Sequence, residues 1–261
     1  MTGPAPDGVP GGDSAAARAW RELAARTVLL DGFHALKHAL RFGADVPLAL
    51  AGDRAAALEL ARDLAPDLTG RLGELLREVP PEVLGTLVPR PHPTGVAALA
   101  VPDSGQADTR VLDAPDRTAP VVVLDNPRHL GNIGAVVRLA AGCGAAGVVT
   151  TGTTDPWHPH VLRASAGLHF ATAVARRDAG TLPPGPLYAL DPEGEDIRSL
   201  VVEDNAVLAF GSERHGLSPD LRARAGRLVA LPMRPQVSSF NLATSVAMVL
   251  YHWMAGPPAP S

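Results

Sequence analysis

Three clusters of polar residues sit where apolar runs end, and their types suit the handling of a ribose or a phosphate. In the first, Leu124-Asp-Asn-Pro-Arg-His-Leu-Gly-Asn-Ile-Gly-Ala-Val-Val-Arg-Leu-Ala140, an apolar run gives way to a turn-rich loop and then to helical spacing. Asn132 and Arg138 share this segment, and Gly134 between them permits close backbone approach. A helix starting near Asn132 would let its amides and the Arg138 guanidinium address one phosphate or ribose. A capping asparagine and a surface arginine on an ordinary strand–helix unit account for the same pair. The second cluster, Phe210-Gly-Ser-Glu-Arg-His-Gly-Leu217, holds Glu213 between glycines directly after an apolar strand. Its amides are exposed and its carboxylate faces the crevice outside the strand ends, although a solvated glutamate in a glycine-rich turn is common. The third, Leu231-Pro-Met-Arg-Pro-Gln-Val-Ser-Ser-Phe-Asn-Leu242, leaves a strand and enters a very apolar helix. Ser239 and Asn241 stand at that helix entrance, where N-caps belong.

The elements that must position these clusters alternate between strand and helix, which argues an α/β fold. In the back half, strands are predicted at 121–124, 148–150, 187–190, 206–210 and 228–231, with helices at 133–141, 161–167, 219–225 and 242–254. The last is apolar on nearly all sides, so it needs cover on more than one face, from its own fold or from a second subunit. The front half reads as strands at 27–30, 46–51 and 95–101 and helices at 33–41, 54–64 and 82–87. A stretch of small polar residues at 103–117, bounded by Pro102 and Pro120, is the expected linker between a front domain, 15–102, and a larger one, 118–255. Residues 1–14 and 256–261 read as tails.

Composition bounds the function. The chain has 261 residues, 46% of them hydrophobic and 19% charged, and neither fibre nor wholly disordered chain has that balance. The one cysteine, Cys143, excludes an internal disulfide framework or multi-cysteine cluster and reads as a core thiol. No apolar run reaches membrane-spanning length and no signal-like start is visible, so the expected address is cytoplasmic. Net charge is -4, the acidic excess lying in the first 117 residues, and this does not by itself demand a nucleic-acid partner. Contact with RNA would rest on local clusters: Arg176 and Arg177, and Arg222, Arg224, Arg227 and Arg234.

Two patterns are set aside. Gly142-Cys-Gly-Ala-Ala-Gly147 matches a dinucleotide fingerprint but ends a helix instead of opening one, so capping explains its glycines. His158 and His160, with His169 nearby, flank a proline and cannot share a helix face; a solvated loop explains them better than a metal site.

Taken in order, Asn132–Arg138, Arg163–Gly167, Gly211–Leu217, Leu231–Met233 and Ser239–Asn241 resemble the SpoU (TrmH-type) branch of the SPOUT RNA 2′-O-ribose methyltransferases. The likeness spans 120–254, and its first motif is similar to that of ribosome-methylating enzymes of the thiostrepton-resistance type. Upstream, Leu29–Lys37 and Pro93–Ala100 resemble an L30e-like RNA-binding domain. The resemblance implies a parallel α/β sheet with a C-terminal trefoil knot, a homodimer, and S-adenosyl-L-methionine as cofactor. It implies transfer of a methyl group to a ribose 2′-hydroxyl, in ribosomal RNA more than in tRNA, with a non-catalytic RNA binder as a further alternative. By the same resemblance Arg138, Asn132, Glu213, Ser239 and Asn241 serve catalysis, Gly211, Leu217, Leu231, Met233 and Phe240 hold the cofactor, and no metal or membrane takes part. Two departures, Phe240 in place of leucine and Arg234-Pro235 where a glycine is frequent, bear on the cofactor rim.

Overall fold

Apolar runs too short to be helices become strands buried on both faces. The structure, a computed structural model, describes residues 15–105 and 107–256, so the tail readings for 1–14 and 257–261 lie outside the described residues. Its first part runs α1 (Ala15–Ala24), β1 (Val28–Asp31), α2 (Phe33–Arg41), β2 (Leu48–Ala51), α3 (Arg54–Leu64), α4 (Thr69–Leu75), β3 (Leu76–Glu78), α5 (Pro81–Leu87) and β4 (Val96–Ala100). The strands form one mixed sheet in the order β1-β4-β2-β3.

The second part runs β5 (Val121–Leu124), α6 (Leu130–Cys143), β6 (Gly147–Thr150), α7 (Pro159–Ala164), β7 (Ala173–Arg176), β8 (Leu187–Asp196), β9 (Val207–Phe210), α8 (Pro219–Arg224), β10 (Arg227–Ala230) and α9 (Leu242–Ala255). Its six strands are all parallel, in the order β10-β8-β9-β5-β6-β7. Every residue of β5, β6 and β9 is buried, as a parallel sheet covered on both faces requires. Because the strands are parallel, every carboxyl end, and so every loop that follows one, lies along a single edge.

Helix ends follow local chemistry. Gly144 closes α6 in the left-handed conformation, so the glycines of 142–147 serve a helix stop and a strand start. Pro159 and Pro219 open α7 and α8 at positions that need no amide donor, behind His158 and Ser218, whose side chains accept from the amides of His160 and Leu221. In α9, Leu242, Val246, Val249 and Leu250 are buried while Met248, Tyr251 and Met254 are exposed. No helix among the described residues is long and apolar enough to cross a membrane.

The two sheets are joined more firmly than a tether would join them. Leu162 and Phe170, which flank the Arg163–Gly167 segment, are fully buried in the apolar core of the front sheet. Arg163 pairs with Asp31 at 3.0 Å, and the His38 Nδ1 lies 2.8 Å from the Ala166 carbonyl. Gly167 has φ of +75°, and a Cβ there would stand 2.5 Å from the Ala35 carbonyl oxygen. Gly167→Ala is therefore expected to cost about 2–3 kcal/mol through strain and overpacking, read as a lowered midpoint in urea unfolding. The stretch 107–117, most of the expected linker, is likewise no loose segment. Leu112 is fully buried under β5 and β6, and Arg117, also buried, donates to the carbonyls of Leu112, Ala114, Pro184 and Asn205.

His169 belongs to this framework and not to a solvated loop. It is fully buried between Trp157 and Ser165, its Nε2 2.8 Å from the Pro156 carbonyl and its Nδ1 2.8 Å from Ser165 Oγ. Burial pushes its pKa down to about 4. The folded protein thus resists a proton that the unfolded chain accepts below about pH 6.5, so stability present above that pH is lost as pH falls toward 4. Unfolding measured across that window should show a decline of up to roughly 3 kcal/mol, smaller in His169→Gln. Cys143 is half-buried at the end of α6, and burial pushes its thiol pKa up.

Candidate functional site

At the shared strand-end edge, the loops after β5, β9 and β10 and the middle of β8 enclose a cavity of about 900 Å³. Leu190, Phe210, Val229, Leu231, Met233 and Phe240 give it apolar walls, and Asn132, Glu213, Ser239 and Asn241 add polar groups. An apolar slot with a few convergent polar groups is the usual form of a small-molecule site.

The loop after β9 folds back sharply. Ser212 and Gly216 exchange backbone hydrogen bonds of 2.9 and 3.0 Å, and a Cβ on Gly211 would fall 2.1 Å from the Gly216 carbonyl carbon. Only glycine fits there, and the fold of the loop lifts Glu213 toward α6. Asn132 Nδ2 donates to Glu213 Oε1 at 2.8 Å, and Asn241 Nδ2 donates to Asn132 Oδ1 at 3.2 Å. The three polar clusters of the sequence are thereby tied into one chain of hydrogen bonds. Asn241 also caps α9, its Oδ1 accepting from the amides of Ala243 and Thr244, so capping and site membership are one arrangement. Burial alone would raise the Glu213 pKa. The hydrogen bonds from Asn132 and from the backbone of Glu213 and Arg128, with the charge of His129, outweigh it and hold the carboxyl below its ordinary value. Glu213 is an ionised acceptor whose partner is Asn132, not Arg138.

Of the residues singled out in the sequence, Asn132, Glu213, Ser239, Asn241, Gly211, Leu231, Met233 and Phe240 line this cavity. Leu217 does not; its side chain packs against the buried cluster of Val207, Ala209 and Leu221. Arg138 does not line it either. The helix begins at Leu130, with His129 and not Asn132 at its N-cap position and no side-chain cap, and at about 100° per residue Arg138 lies roughly 120° around the axis from Asn132. Arg138 is exposed on the side of α6 that faces His34 of α2, whose pKa is lowered by burial and by the charges of Lys37, His92 and Arg138. Sequence reasoning passed over His129, Leu190, Asp191 and Val229. Their only signal was the end of a parallel strand. Among the described residues, no group of three or more His, Cys, Asp or Glu is placed to hold a metal ion.

A family model described as the SpoU rRNA Methylase family matches residues 119–251. An uncharacterized tRNA/rRNA methyltransferase of Synechocystis is 30% identical over 193 residues, covering 68% of each chain. A 23S rRNA (uridine(2479)-2′-O)-methyltransferase of Streptomyces viridochromogenes is 31% identical over 210 residues, 72% of this chain and 64% of that protein. This chain thus spans about two thirds of the length of these relatives. An AdoMet-bound rRNA methyltransferase structure from Sinorhizobium meliloti superposes with a TM-score of 0.69 at 25% identity, covering 88% of this chain and 87% of the other. The match to the family model takes in β5 through most of α9, the whole frame of the cavity. With its motifs gathered at the strand-end edge of that parallel sheet, the chain belongs to the SpoU rRNA methylase family.

Proposed function

We propose that this protein is an S-adenosylmethionine-dependent methyltransferase that acts on a ribose 2′-hydroxyl of ribosomal RNA, in the cytoplasm and as a homodimer. The observation that carries the reading is the Glu213–Asn132–Asn241 hydrogen-bond chain at the mouth of an apolar-walled cavity. The cavity volume and its lining by Leu231, Met233, Phe240 and the loop backbone around Gly211 fit an adenosyl cofactor. When bound, that cofactor supplies an electrophilic methyl on a sulfonium. The ribosomal relative in Streptomyces supports ribosomal RNA over tRNA as acceptor.

In this reading Asn132, held by Glu213 on one side and Asn241 on the other, has its amide fixed and orients the ribose, which contributes through positioning. Ser239 and Asn241 keep the loop before α9 in place. Arg138 contacts the substrate phosphate and stabilises the oxyanion that develops as the 2′-hydroxyl loses its proton. A guanidinium with pKa above about 12 is a poor base, so its charge and fork geometry are what it offers. Since Arg138 points away from the cavity of its own chain, it serves the cavity of the second subunit. The exposed stripe Met248, Tyr251 and Met254 on α9 supplies an apolar face for that pairing. The knot and the L30e-like character of the front domain belong to the same proposal, the latter supported by the β1-to-β4 sheet that α7 anchors beside α6.

The test is transfer of labelled methyl from S-adenosylmethionine to ribosomal RNA and, separately, to bulk tRNA. Label confined to ribosomal RNA and resistant to alkaline cleavage beside the modified ribose is expected. Label in tRNA alone would favour the tRNA reading, and cofactor binding without transfer to either RNA would favour a silent RNA binder.

A further inference from the structure

The arginines of the second sheet divide into two groups by their partners. Arg163, Arg177, Arg198, Arg222, Arg224 and Arg227 each pair with an aspartate or glutamate. Four of the residues that the sequence offered as an RNA patch, Arg177, Arg222, Arg224 and Arg227, are thus already neutralised. Their charge is spent within the fold, and surface clusters of this kind carry little net field.

The remainder are exposed and have no carboxylate partner among the described residues, and three of them follow the ends of β9, β5 and β7 along one edge of the sheet. Arg214 follows β9 and lines the large cavity. Arg128 follows β5, beside His129 of the same cavity, and its amide donates to Glu213. Arg176 ends β7 and lines a second cavity of about 470 Å³ with Gly152, Arg177, Asp178 and Thr181. Its guanidinium donates only to the Thr153 carbonyl, at 3.2 Å. The loop after β6 ties the second cavity to the first, for Thr154 Oγ1 donates to the Pro127 carbonyl and the Asn126 amide donates to Thr151 Oγ1. From β9 to β7 the edge spans three strand spacings, about 14 Å.

An exposed arginine can be left unpaired at no cost, but Arg214, Arg128 and Arg176 lie in strand order along the edge that holds the cavity and make a directional positive row. We propose that Arg214, Arg128 and Arg176 form a phosphodiester track, along which an RNA strand runs from the large cavity to the second one, where a flanking phosphate or nucleotide sits. This inference rests on the RNA-methyltransferase reading and assigns its substrate path. Guanidinium forks suit phosphate oxygens, and the concave second site gives the strand a place to turn off the edge.

The experiment measures binding of the full chain to an oligouridine RNA at a series of salt concentrations, with S-adenosylmethionine present, for wild type, Arg128→Gln, Arg176→Gln and Arg198→Gln. Each lost phosphate contact should reduce the slope of log K against log salt by about 0.7 and lower affinity ~5-fold near 0.1 M salt. Arg128→Gln and Arg176→Gln are expected to show both changes. Arg198→Gln, which alters net charge equally but removes an arginine already paired with Asp196, should show neither. Equal slopes in all four proteins, or equal losses in all three variants, would overturn the track. Methyl transfer by wild type to ribosomal RNA is read in parallel: transfer with equal slopes defeats the track alone, whereas no transfer to any RNA defeats the functional reading beneath it.

Discussion

Arg138→Ala is expected to lower the rate of methyl transfer by ~10²–10³-fold while S-adenosylmethionine binds as it does to the wild type. The separation follows from position. Arg138 lies outside the cavity of its own chain, so truncating it removes no wall and breaks no hydrogen bond of the Glu213–Asn132–Asn241 chain. The loss should fall on kcat, and Arg138→Lys should recover little, because an ammonium keeps the charge but not the planar fork. A mixing experiment tests the assignment across subunits. Arg138→Ala and Asn132→Ala are each expected to be nearly inactive alone, yet in the proposed dimer a mixed pair would hold one cavity with both residues intact. With random exchange, roughly one quarter of wild-type activity should return, as two-fold symmetry dictates. No recovery would place Arg138 with its own cavity, and full activity in Arg138→Ala would remove it from the chemistry.

Gly211→Ala is the variant with the largest expected effect on the cofactor. Its Cβ would meet the Gly216 carbonyl carbon at 2.1 Å and the Leu217 nitrogen at 2.3 Å. Both are backbone atoms, so no side-chain rotation relieves the clash. The loop must open, which breaks the Ser212–Gly216 pair and carries Glu213 away from Asn132. Overpacking of this kind costs about 1–3 kcal/mol, here confined to a loop, so cofactor affinity should fall ~5- to 150-fold while the fold persists. Titration calorimetry with S-adenosylmethionine measures it. Gly131→Ala is the comparison, since Gly131 lines the same cavity but a Cβ there meets nothing within 4 Å. Wild-type affinity in Gly211→Ala would show that the loop does not shape the cofactor floor.

Much of the fold was legible in the chain because parallel strands buried on both faces are unbroken apolar runs. Val121–Leu124 and Val207–Phe210 carry that pattern, and the helix 54–64 has its bounds set by the Asp53 cap. Elements with weak local signals escaped. The helices at 15–24 and 69–75, the three-residue strand at 76–78 and the strand at 173–176 were not seen. β7 is four residues long and ends in a charge, and only its pairing with β6 makes it a strand. Site residues were legible where two properties coincided, a polar type and a place just beyond an apolar run, as for Asn132, Glu213 and Asn241.

The sequence by itself determined most of the strands and helices around the cavity, where the polar loops fall, and to which family those loops belong. Periodicity, capping and turn chemistry act within a few residues, so a one-dimensional reading reaches them. Tertiary structure alone decided that Asn132 bonds to a glutamate 81 residues onward, that Arg138 turns away from the cavity, and that the Arg163–Gly167 segment fastens one sheet to the other. It also decided that Arg177 is neutralised by Asp113 while its neighbour Arg176 is left for an anion. Adjacent residues on a strand point to opposite faces, and the electrostatic value of a charge depends on what the distant chain brings within a few ångströms of it.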